Sequence, residues 1–434
     1  MTAITIAAAF LFLFVIGRAF AVTVVESEKL KTLAVDQWTR ELPVKAARGE
    51  IYDCAGRAIA VSDVRYAVYA RKRSVKDAAY CAKILAPIIS VDENVIYDKI
   101  VKAKSSEVKI KSDVGRDAVN LAAEYSLDGI YFAPESKRVY PYGDLACSVL
   151  GYVDSDCLGQ TGVEKYYDEY LRGENGEILY QSDLVGKVEG SKPYYVRATD
   201  GLDLTLTIDL DVQLITEKVV KEAAEKYTPK SCSIIVMEPS NGKIRAIASY
   251  PSFDLNSPPR DDIKTLNALS RSPVIADSYE PGSTFKIVTA LADIEETLNG
   301  NPSAYPLDKV FNSSRYRVVG GRKIKCWASH ANGRHANETL SEALNNSCNP
   351  CFVDIGLALG KEKMYEYVTA LNFGKTTGID FPGEAAGMVL PVSAVTEGDL
   401  ARISFGQTIA VTPLQLAAAA SAAVNGGKYY SPSL

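Results

Sequence analysis

Two residues of complementary chemistry, Ser283 and Lys286, stand three positions apart, directly after Pro281-Gly282. Three residues are just under one helical turn, so on a helix the hydroxyl and the amine share a face and can touch. A serine hydroxyl is a weak nucleophile until a neighbouring base removes its proton, and here an amine lies within reach. The pattern alone is weak, because most such pairs are solvated helix surface, so its context has to decide.

Histidine is scarce in this chain, which has only two, His330 and His335. A Ser-His-Asp hydrolase would have to draw its histidine from this one segment. The residues between them include Ala331-Asn332-Gly333, a turn signal without an acidic residue, which argues against a two-histidine metal site on a helix. Lys286 is therefore the credible base for Ser283.

Composition limits the partners and the number of domains. The 434 residues are 47% hydrophobic and 23% charged, as in an ordinary globular protein, and the length suggests about three domains. The net charge is −5 and no long basic run occurs, which argues against a nucleic-acid partner.

Eight cysteines are modest for this length and show no paired C-x-x-C zinc spacing. One C-x-x-C occurs alone, as Cys348-Asn349-Pro350-Cys351. Such a motif is either redox-active or two small packing residues. We predict no metal site and no cofactor.

The amino terminus is uncharged from residue 3 to residue 17, Arg18 follows, and a second apolar patch then runs to Val25. Residues 2–25 are long enough to span a bilayer if Arg18 snorkels to the interface. A cleaved signal peptide with the site Ala19-Phe20-Ala21 is the rival interpretation. No basic residue precedes the apolar run, so we expect a cytoplasmic start upstream of Met1 and favour an uncleaved anchor over residues 1–25.

The segment after the anchor mixes helical and extended patterns without one repeating period. Residues 26–46 favour a helix that ends before Pro43, and the polar residues 188–200 favour a boundary. We therefore predict an anchor at 1–25, a mixed module at 26–200 and a second domain at 201–434. The predicted elements of the mixed module are strands near 50–52, 66–70 and 130–132 and helices at 76–86 and 117–125.

The second domain opens with an alternating strand at 202–208 and an amphipathic helix at 211–226. Residues 233–237 and 244–248 flank an Asn-Gly turn and predict a hairpin. Helical patterns dominate after Ser283, at 284–296, 339–346, 350–359, 362–370 and 413–424.

Many short motifs follow one another in a fixed order along nearly the whole chain. They are Arg48-Gly49-Glu50-Ile51-Tyr52-Asp53, Tyr140-Pro141-Tyr142-Gly143, Gly151-Tyr152-Val153, Gly159-Gln160-Thr161-Gly162-Val163-Glu164, Glu238-Pro239-Ser240-Asn241-Gly242, Tyr250-Pro251-Ser252-Phe253-Asp254, Glu280 to Lys286, Ser347-Cys348-Asn349, Thr377-Gly378-Ile379-Asp380, Gly406-Gln407 and Thr412-Pro413-Leu414-Gln415. Together they resemble the class B penicillin-binding proteins, membrane-anchored D,D-transpeptidases that crosslink peptidoglycan. The amino-acid sequences of residues 48–60 and 324–352 are similar to those of the division and sporulation subgroup.

The resemblance implies a multidomain α+β fold. Its parts are a membrane anchor, an elongated mixed α/β pedestal or dimerisation domain at 26–200, and a transpeptidase domain at 201–434 with an antiparallel sheet flanked by helices. It further implies a single-pass membrane protein with most of the chain outside the cytoplasm. The implied partners are peptidoglycan stem peptides, β-lactams, a polytopic lipid-linked glycan polymerase, and division or sporulation proteins.

The resemblance also implies roles for individual residues. Lys286, with a lowered pKa, would accept the proton of Ser283, which attacks the penultimate D-Ala carbonyl. Ser347 would relay a proton to the leaving amine, and Asn349 would hold the substrate amide. Weaker substrate contacts are assigned to Gly406, Gln407 and Thr412.

A Cys326–Cys348 disulfide is a hypothesis motivated by an oxidising compartment, and unpaired packing cysteines are an equal alternative.

One family motif is missing. The family carries Lys-Thr/Ser-Gly after the 413–424 helix, but the chain ends at Leu434, and Lys375-Thr376-Thr377-Gly378 lies too early to replace it. We therefore expect a transpeptidase domain that lacks its C-terminal strands and an incomplete site. The alternatives are a non-catalytic scaffold in a cell-wall complex and a β-lactamase or carboxypeptidase-type hydrolase.

Overall fold

A computed structural model describes residues 2–27, 39–181, 194–312, 315–327 and 336–434. Its strands are Thr39–Val44, Ile51–Tyr52, Ala58–Arg71, Glu107–Val114, Ile130–Val139, Gly176–Gln181, Tyr194–Val196, Leu204–Thr205, Cys232–Met237, Ile244–Tyr250, Val310–Asn312, Tyr316–Val319, Arg322–Lys325 and Ala336–Thr339. Its α-helices are Thr2–Phe20, Ala78–Ile89, Glu93–Lys102, Arg116–Ala123, Cys147–Leu150, Gly162–Tyr166, Asp168–Leu171, Leu210–Tyr227, Ile263–Leu269, Pro273–Ala276, Lys286–Leu298, Leu340–Asn345, Asn349–Ala370, Glu397–Ile403 and Pro413–Val424.

The chain forms two compact units, and it passes between them more than once. The first comprises Met1–Gly49, Ser62–Lys137 and Arg172–Leu202, and the second comprises Glu50–Val61, Arg138–Leu171 and Asp203–Leu434. The compact units therefore differ from a division of the chain at a single boundary near residue 200. Two segments before that boundary, Glu50–Val61 and Arg138–Leu171, pack with the residues after it.

Helices of the first unit pack over an antiparallel pair of strands. Tyr66 to Arg71 pairs with Glu107–Val114, and the helices Ala78–Ile89 and Glu93–Lys102 cover the pair with buried side chains such as Leu85 and Ile96. Both helices begin at an aspartate whose carboxylate accepts backbone N–H groups, which satisfies donors left open at a helix start. The predicted helices at 76–86 and 117–125 are confirmed with shifted ends.

The helix predicted from residue 26 to just before Pro43 is wrong at its carboxyl end, and residues 28–38 lie outside the described part. Thr39–Val44 is a strand that pairs antiparallel with Gly176–Gln181. It lies at the edge of a three-stranded sheet, where Pro43 is tolerated because one side of an edge strand makes no ladder bonds. The partner strand lies more than a hundred residues further along the chain, so the local sequence pattern could not predict this pairing.

The amino-terminal residues form a helix, Thr2–Phe20, that continues as a short π-helix, Ala21–Val25. In the part of the chain that the structure describes, no helix combines the length and the apolarity needed to cross a membrane. The anchor stays a prediction.

The second unit is built around the predicted hairpin, which is confirmed as Cys232–Met237 and Ile244–Tyr250. The helix Leu210–Tyr227 packs on it, and the Gln213 amide both donates to the Ile247 carbonyl and accepts from the Ile247 N–H. The strand predicted at 202–208 is shorter, since only Leu204–Thr205 pairs, in parallel with Ile51–Tyr52.

The helices predicted after Ser283 are confirmed. The two helices predicted at 350–359 and 362–370 form one element, Asn349–Ala370, divided at Gly360, whose φ of +77° is not helical. The last helix, Pro413–Val424, starts at Thr412, whose hydroxyl accepts the Gln415 N–H while the Gln415 side chain accepts the Thr412 N–H. This capping box fixes where the final helix begins.

Candidate active site

A tight connection places Ser283 at the start of a helix. Gly282 to Phe285 form a single 3₁₀ turn that runs directly into the helix Lys286–Leu298. The Gly282 N–H donates to the Gly406 carbonyl at 2.8 Å, and the Glu280 carboxylate accepts the Thr408 N–H at 2.9 Å. These two bonds hold the nucleophile loop against the segment 406–408.

Glycine is needed where these two backbones meet. A Cβ on Gly406 would lie 2.0 Å from the Gly282 carbonyl oxygen, and Gly406 itself has a φ of +80°. Both conditions exclude a side chain at this position. The structure therefore places Gly406 behind the nucleophile loop as a backbone support.

Two other residues predicted to contact substrate lie in different surroundings. Gln407 is exposed, and its backbone N–H donates to the Arg402 carbonyl. Thr412 is completely buried and caps the final helix, so its side chain is committed to the fold. The position of Thr412 in the ordered series of motifs could not show whether it is a helix-capping residue or a substrate-binding residue.

The four residues predicted to be catalytic meet at one atom, the amine nitrogen of Lys286. Its Nζ lies 3.2 Å from Ser283 Oγ, 2.9 Å from Ser347 Oγ, 2.9 Å from the Ser347 carbonyl oxygen and 2.7 Å from Asn349 Oδ1. Lys286 is fully buried, whereas Ser283 is exposed. A buried amine thus reaches a hydroxyl that is open to a substrate.

The segment carrying Ser347 and Asn349 is a sharp link between two helices. It follows Leu340–Asn345 and leads into Asn349–Ala370, with Ser347 at a φ of +55°. The Asn349 side chain also donates to the Lys325 carbonyl at 3.1 Å, which ties the link to the strand Arg322–Lys325. The motif is thereby held from two sides.

Hydrogen-bond accounting constrains what the amine can do. The Ser347 carbonyl and Asn349 Oδ1 can only accept, so they take two N–H groups of Lys286. A neutral amine then has its lone pair left, and the groups in reach that can donate to it are the hydroxyls of Ser283 and Ser347. The arrangement is that of a base poised to take a hydroxyl proton.

Burial lowers the pKa of Lys286 to about 8, against an opposing electrostatic effect of Cys326, Cys348 and Cys351. Removing an ammonium group from water disfavours its charged form. A substantial fraction of Lys286 is therefore neutral, and able to act as a base, at mildly alkaline pH. The Phe352 ring, 5.4 Å from the amine, belongs to this apolar wall and was not predicted from the sequence.

Of the two alternatives for Cys326 and Cys348, a disulfide or unpaired packing cysteines, the structure has the unpaired thiols. The two sulfurs lie 3.9 Å apart, whereas a disulfide bond is about 2.05 Å long. Cys351 lies nearer to Cys348, at 3.5 Å, so Cys348 contacts two other sulfurs, the buried Cys351 and the half-buried Cys326.

The sequence Lys375-Thr376-Thr377-Gly378 belongs to a structural turn. The Thr377 N–H and hydroxyl both donate to Glu384 at 2.6 Å, and Thr377 is buried. This agrees with the expectation that the segment does not serve as the Lys-Thr/Ser-Gly motif of the family. His330 and His335 lie outside the described residues.

Comparisons with known proteins give matches over most of the chain. The model of the penicillin-binding protein dimerisation domain matches residues 43–206, and that of the penicillin binding protein transpeptidase domain matches residues 232–434. Stage V sporulation protein D of Bacillus subtilis is 38% identical over 97% of this chain, and the peptidoglycan D,D-transpeptidase FtsI of Escherichia coli is 27% identical over 93%. The chain spans 64% of the length of the first and 67% of the second.

Two solved structures are similar over 91% of the chain. A peptidoglycan synthetase from Bifidobacterium adolescentis superposes with a TM-score of 0.68 at 26% identity, over 74% of its own chain. Penicillin Binding Protein 2X from Streptococcus thermophilus superposes with a TM-score of 0.73 at 21% identity, over 60% of its own chain.

Proposed function

Because this chain belongs to the class B penicillin-binding proteins, we propose that it crosslinks peptidoglycan by serine acyl transfer. The observation that carries the proposal is the buried amine of Lys286, in contact with Ser283, Ser347 and Asn349. A hydroxyl, a base of lowered pKa and two polar partners are what a two-step acyl transfer requires.

In the first step, the neutral Lys286 amine accepts the Ser283 proton while Ser283 Oγ attacks the penultimate D-Ala carbonyl of a stem peptide. The C–N bond to the terminal D-Ala breaks, and the leaving amine takes its proton through Ser347, which touches the amine nitrogen of Lys286. The Ser283 N–H, in the first turn of its helix, suits the developing oxyanion. An amine of a second stem peptide then attacks the acyl-enzyme and restores Ser283.

Asn349 needs a change of partner to hold the substrate amide. Its Oδ1 accepts from Lys286 and its Nδ2 donates to the Lys325 carbonyl, so both ends of the side chain are engaged. A substrate amide would replace the contact of 3.1 Å to Lys325, which is the longer of the two. Asn349 in this proposal couples substrate binding to the strand Arg322–Lys325.

The proposal includes an extracytoplasmic protein held by a single membrane anchor at residues 1–25. Side chains 11–16, from Leu11 to Ile16, are 52–71% exposed, an apolar surface that a bilayer would cover. The proposed pedestal at 26–200 and transpeptidase domain at 201–434 are supported by the two family models. Proposed partners are a lipid-linked glycan polymerase and other division or sporulation proteins.

Labelling with a fluorescent penicillin tests the function. We expect the full-length protein to carry one covalent label, and Ser283→Ala to carry none, because the acylated oxygen is gone. Ser393→Ala, which removes an exposed serine that is not one of the four site residues, should label like the parent. Labelling that survives Ser283→Ala would reject the assignment, and rapid loss of the label would favour a hydrolase.

The rate of acylation should depend on pH in a defined direction. The neutral amine is the base, so the second-order rate constant should rise about tenfold per pH unit below the pKa of Lys286, about 8, and level off above it. Stopped-flow acylation with a chromogenic β-lactam between pH 6 and pH 10 measures this profile. A rate constant that is flat or falls over that range would contradict a lysine base.

A further inference from the structure

Three buried metal-ligating side chains, those of Glu338, Cys348 and Cys351, converge next to the Ser347–Asn349 link, and the half-buried Cys326 lies beside Cys348. Cys348 Sγ lies 3.5 Å from Cys351 Sγ and 3.9 Å from Cys326 Sγ, and Cys351 Sγ lies 3.8 Å from Glu338 Oε2. The ligand atoms of Glu338, Cys348 and Cys351 all lie within 4.8 Å of one another, and all three residues are buried. Transpeptidation as proposed above uses none of these side chains.

Their spacing matches the edges of a tetrahedral metal centre. With Zn–S bonds of about 2.3 Å, two sulfurs of a tetrahedron stand about 3.8 Å apart, and a sulfur and a carboxylate oxygen about 3.5 Å apart. The sulfur–sulfur separations of 3.5 and 3.9 Å and the sulfur–oxygen separation of 3.8 Å lie within about 0.3 Å of these lengths. Glu338, Cys348 and Cys351 therefore stand at the spacing of three ligands of one cation, and Cys326, which lies beside Cys348 but outside this group of three, would have to turn towards them to become the fourth ligand.

The surroundings orient these ligands. Glu338 Oε1 accepts the Asn346 side-chain amide at 2.6 Å, and Glu338 Oε2 lies 3.8 Å from the Cys351 sulfur. Such outer contacts fix the direction of a ligating carboxylate. Cys348 stands at the start of the helix 349–370, where the Cys326 and Cys351 thiols both donate hydrogen bonds to its sulfur.

We propose that Cys326, Cys348, Cys351 and Glu338 form a binding site for one zinc-class divalent cation beside the acylation site. Three sulfurs and one carboxylate suit a borderline-soft ion with a preference for tetrahedral coordination. They do not suit Mg²⁺ or Ca²⁺, which take oxygen ligands. Binding releases the protons of the ligating thiols. Cys326, the one half-buried member, gives the ion an entry route.

The ion would fix the backbone that presents Ser347 and Asn349, because Cys348 lies between them and Cys351 lies one turn further along the same helix. The site does not depend on transpeptidation, so the two proposals can fail separately.

Cobalt binding to the reduced full-length protein tests the site without measuring acylation. We expect one equivalent of Co²⁺ to give the thiolate charge-transfer absorption and the intense visible bands of tetrahedral coordination. Cys351→Ser should weaken Co²⁺ binding at least tenfold. Cys232→Ser, at a cysteine in the hairpin, should leave both spectrum and affinity unchanged and is the matched control.

Alkylation of the unmodified protein gives a second measurement that requires no variant to fold. Zn²⁺ should slow iodoacetamide modification of Cys348 and Cys351 at least tenfold, measured by peptide mass spectrometry, and leave exposed Cys54 unaffected. The proposal is overturned if Co²⁺ gives no thiolate absorption while all thiols titrate as reduced. Equal alkylation rates with and without Zn²⁺ would overturn it as well.

Discussion

Lys286→Met lowers the second-order rate constant for acylation of Ser283 by about 10³-fold, the size expected when a general base is removed. Methionine is unbranched and of similar length, so it fills the buried volume of the lysine stem while removing the amine. The Ser283 hydroxyl then keeps its position but has no acceptor for its proton. Rates of acylation by a chromogenic β-lactam, measured at pH 8, give the comparison.

Lys218→Met is the matched control, because Lys218 is exposed and its pair with Glu222 is loose, at 3.9 Å. It should acylate at the parental rate. In Lys286→Met, the residual rate should also lose its rise with pH through about 8. A Lys286→Met protein that is folded and acylates within about threefold of the parent would show that another group is the base, since a general base contributes about 10²-fold or more.

Glu164→Gln lowers the free energy of unfolding by about 3 kcal/mol, the largest stability effect we expect from a single isosteric change. Arg138 Nε and Glu164 Oε1 lie 2.6 Å apart, with side chains 1% and 0% exposed. Glu164 also accepts the Tyr140 hydroxyl at 3.2 Å. The amide keeps the shape but removes the negative charge that compensates the buried guanidinium, and calorimetric melting measures the loss.

Glu222→Gln is the control for this change, since it makes the same substitution in an exposed pair of the same unit. Exposed ion pairs contribute little to stability, so Glu222→Gln should change the free energy of unfolding by about 0.5 kcal/mol or less. If Glu164→Gln and Glu222→Gln melt at the same temperature, the buried Arg138–Glu164 pair does not stabilise the fold as its geometry implies.

The sequence predicted the site best where local spacing carried the information. Ser283 and Lys286 are joined by one helical turn, and the helix 286–298 follows from its own apolar pattern. The order of motifs added Ser347 and Asn349, and all four side chains meet at one nitrogen.

What the sequence did not predict depends on long-range pairing. Thr39–Val44 becomes a strand because Gly176–Gln181 lies beside it, and no local pattern announces that partner. Gly406 was assigned to substrate, whereas in the structure its carbonyl accepts the Gly282 N–H and a Cβ on it would lie 2.0 Å from the Gly282 carbonyl oxygen.

The dependence on long-range contacts also applies to the proposed cation site of Cys326, Cys348, Cys351 and Glu338. Cys348 and Cys351 form a visible motif, but Glu338 joins them only through the fold, on the strand Ala336–Thr339. A sequence search for paired C-x-x-C motifs therefore could not find a site with this ligand set.

The covalent intermediate tests the central claim most directly. Incubating the full-length protein with a synthetic stem peptide ending in D-Ala-D-Ala, without an acceptor amine, and quenching with acid should trap an acyl-enzyme. We predict a mass increase equal to the peptide minus its terminal D-Ala, on the fragment that contains Ser283, with one D-Ala released per chain. An acyl group on any other residue, or no adduct on folded protein with Ser283 intact, would contradict the account.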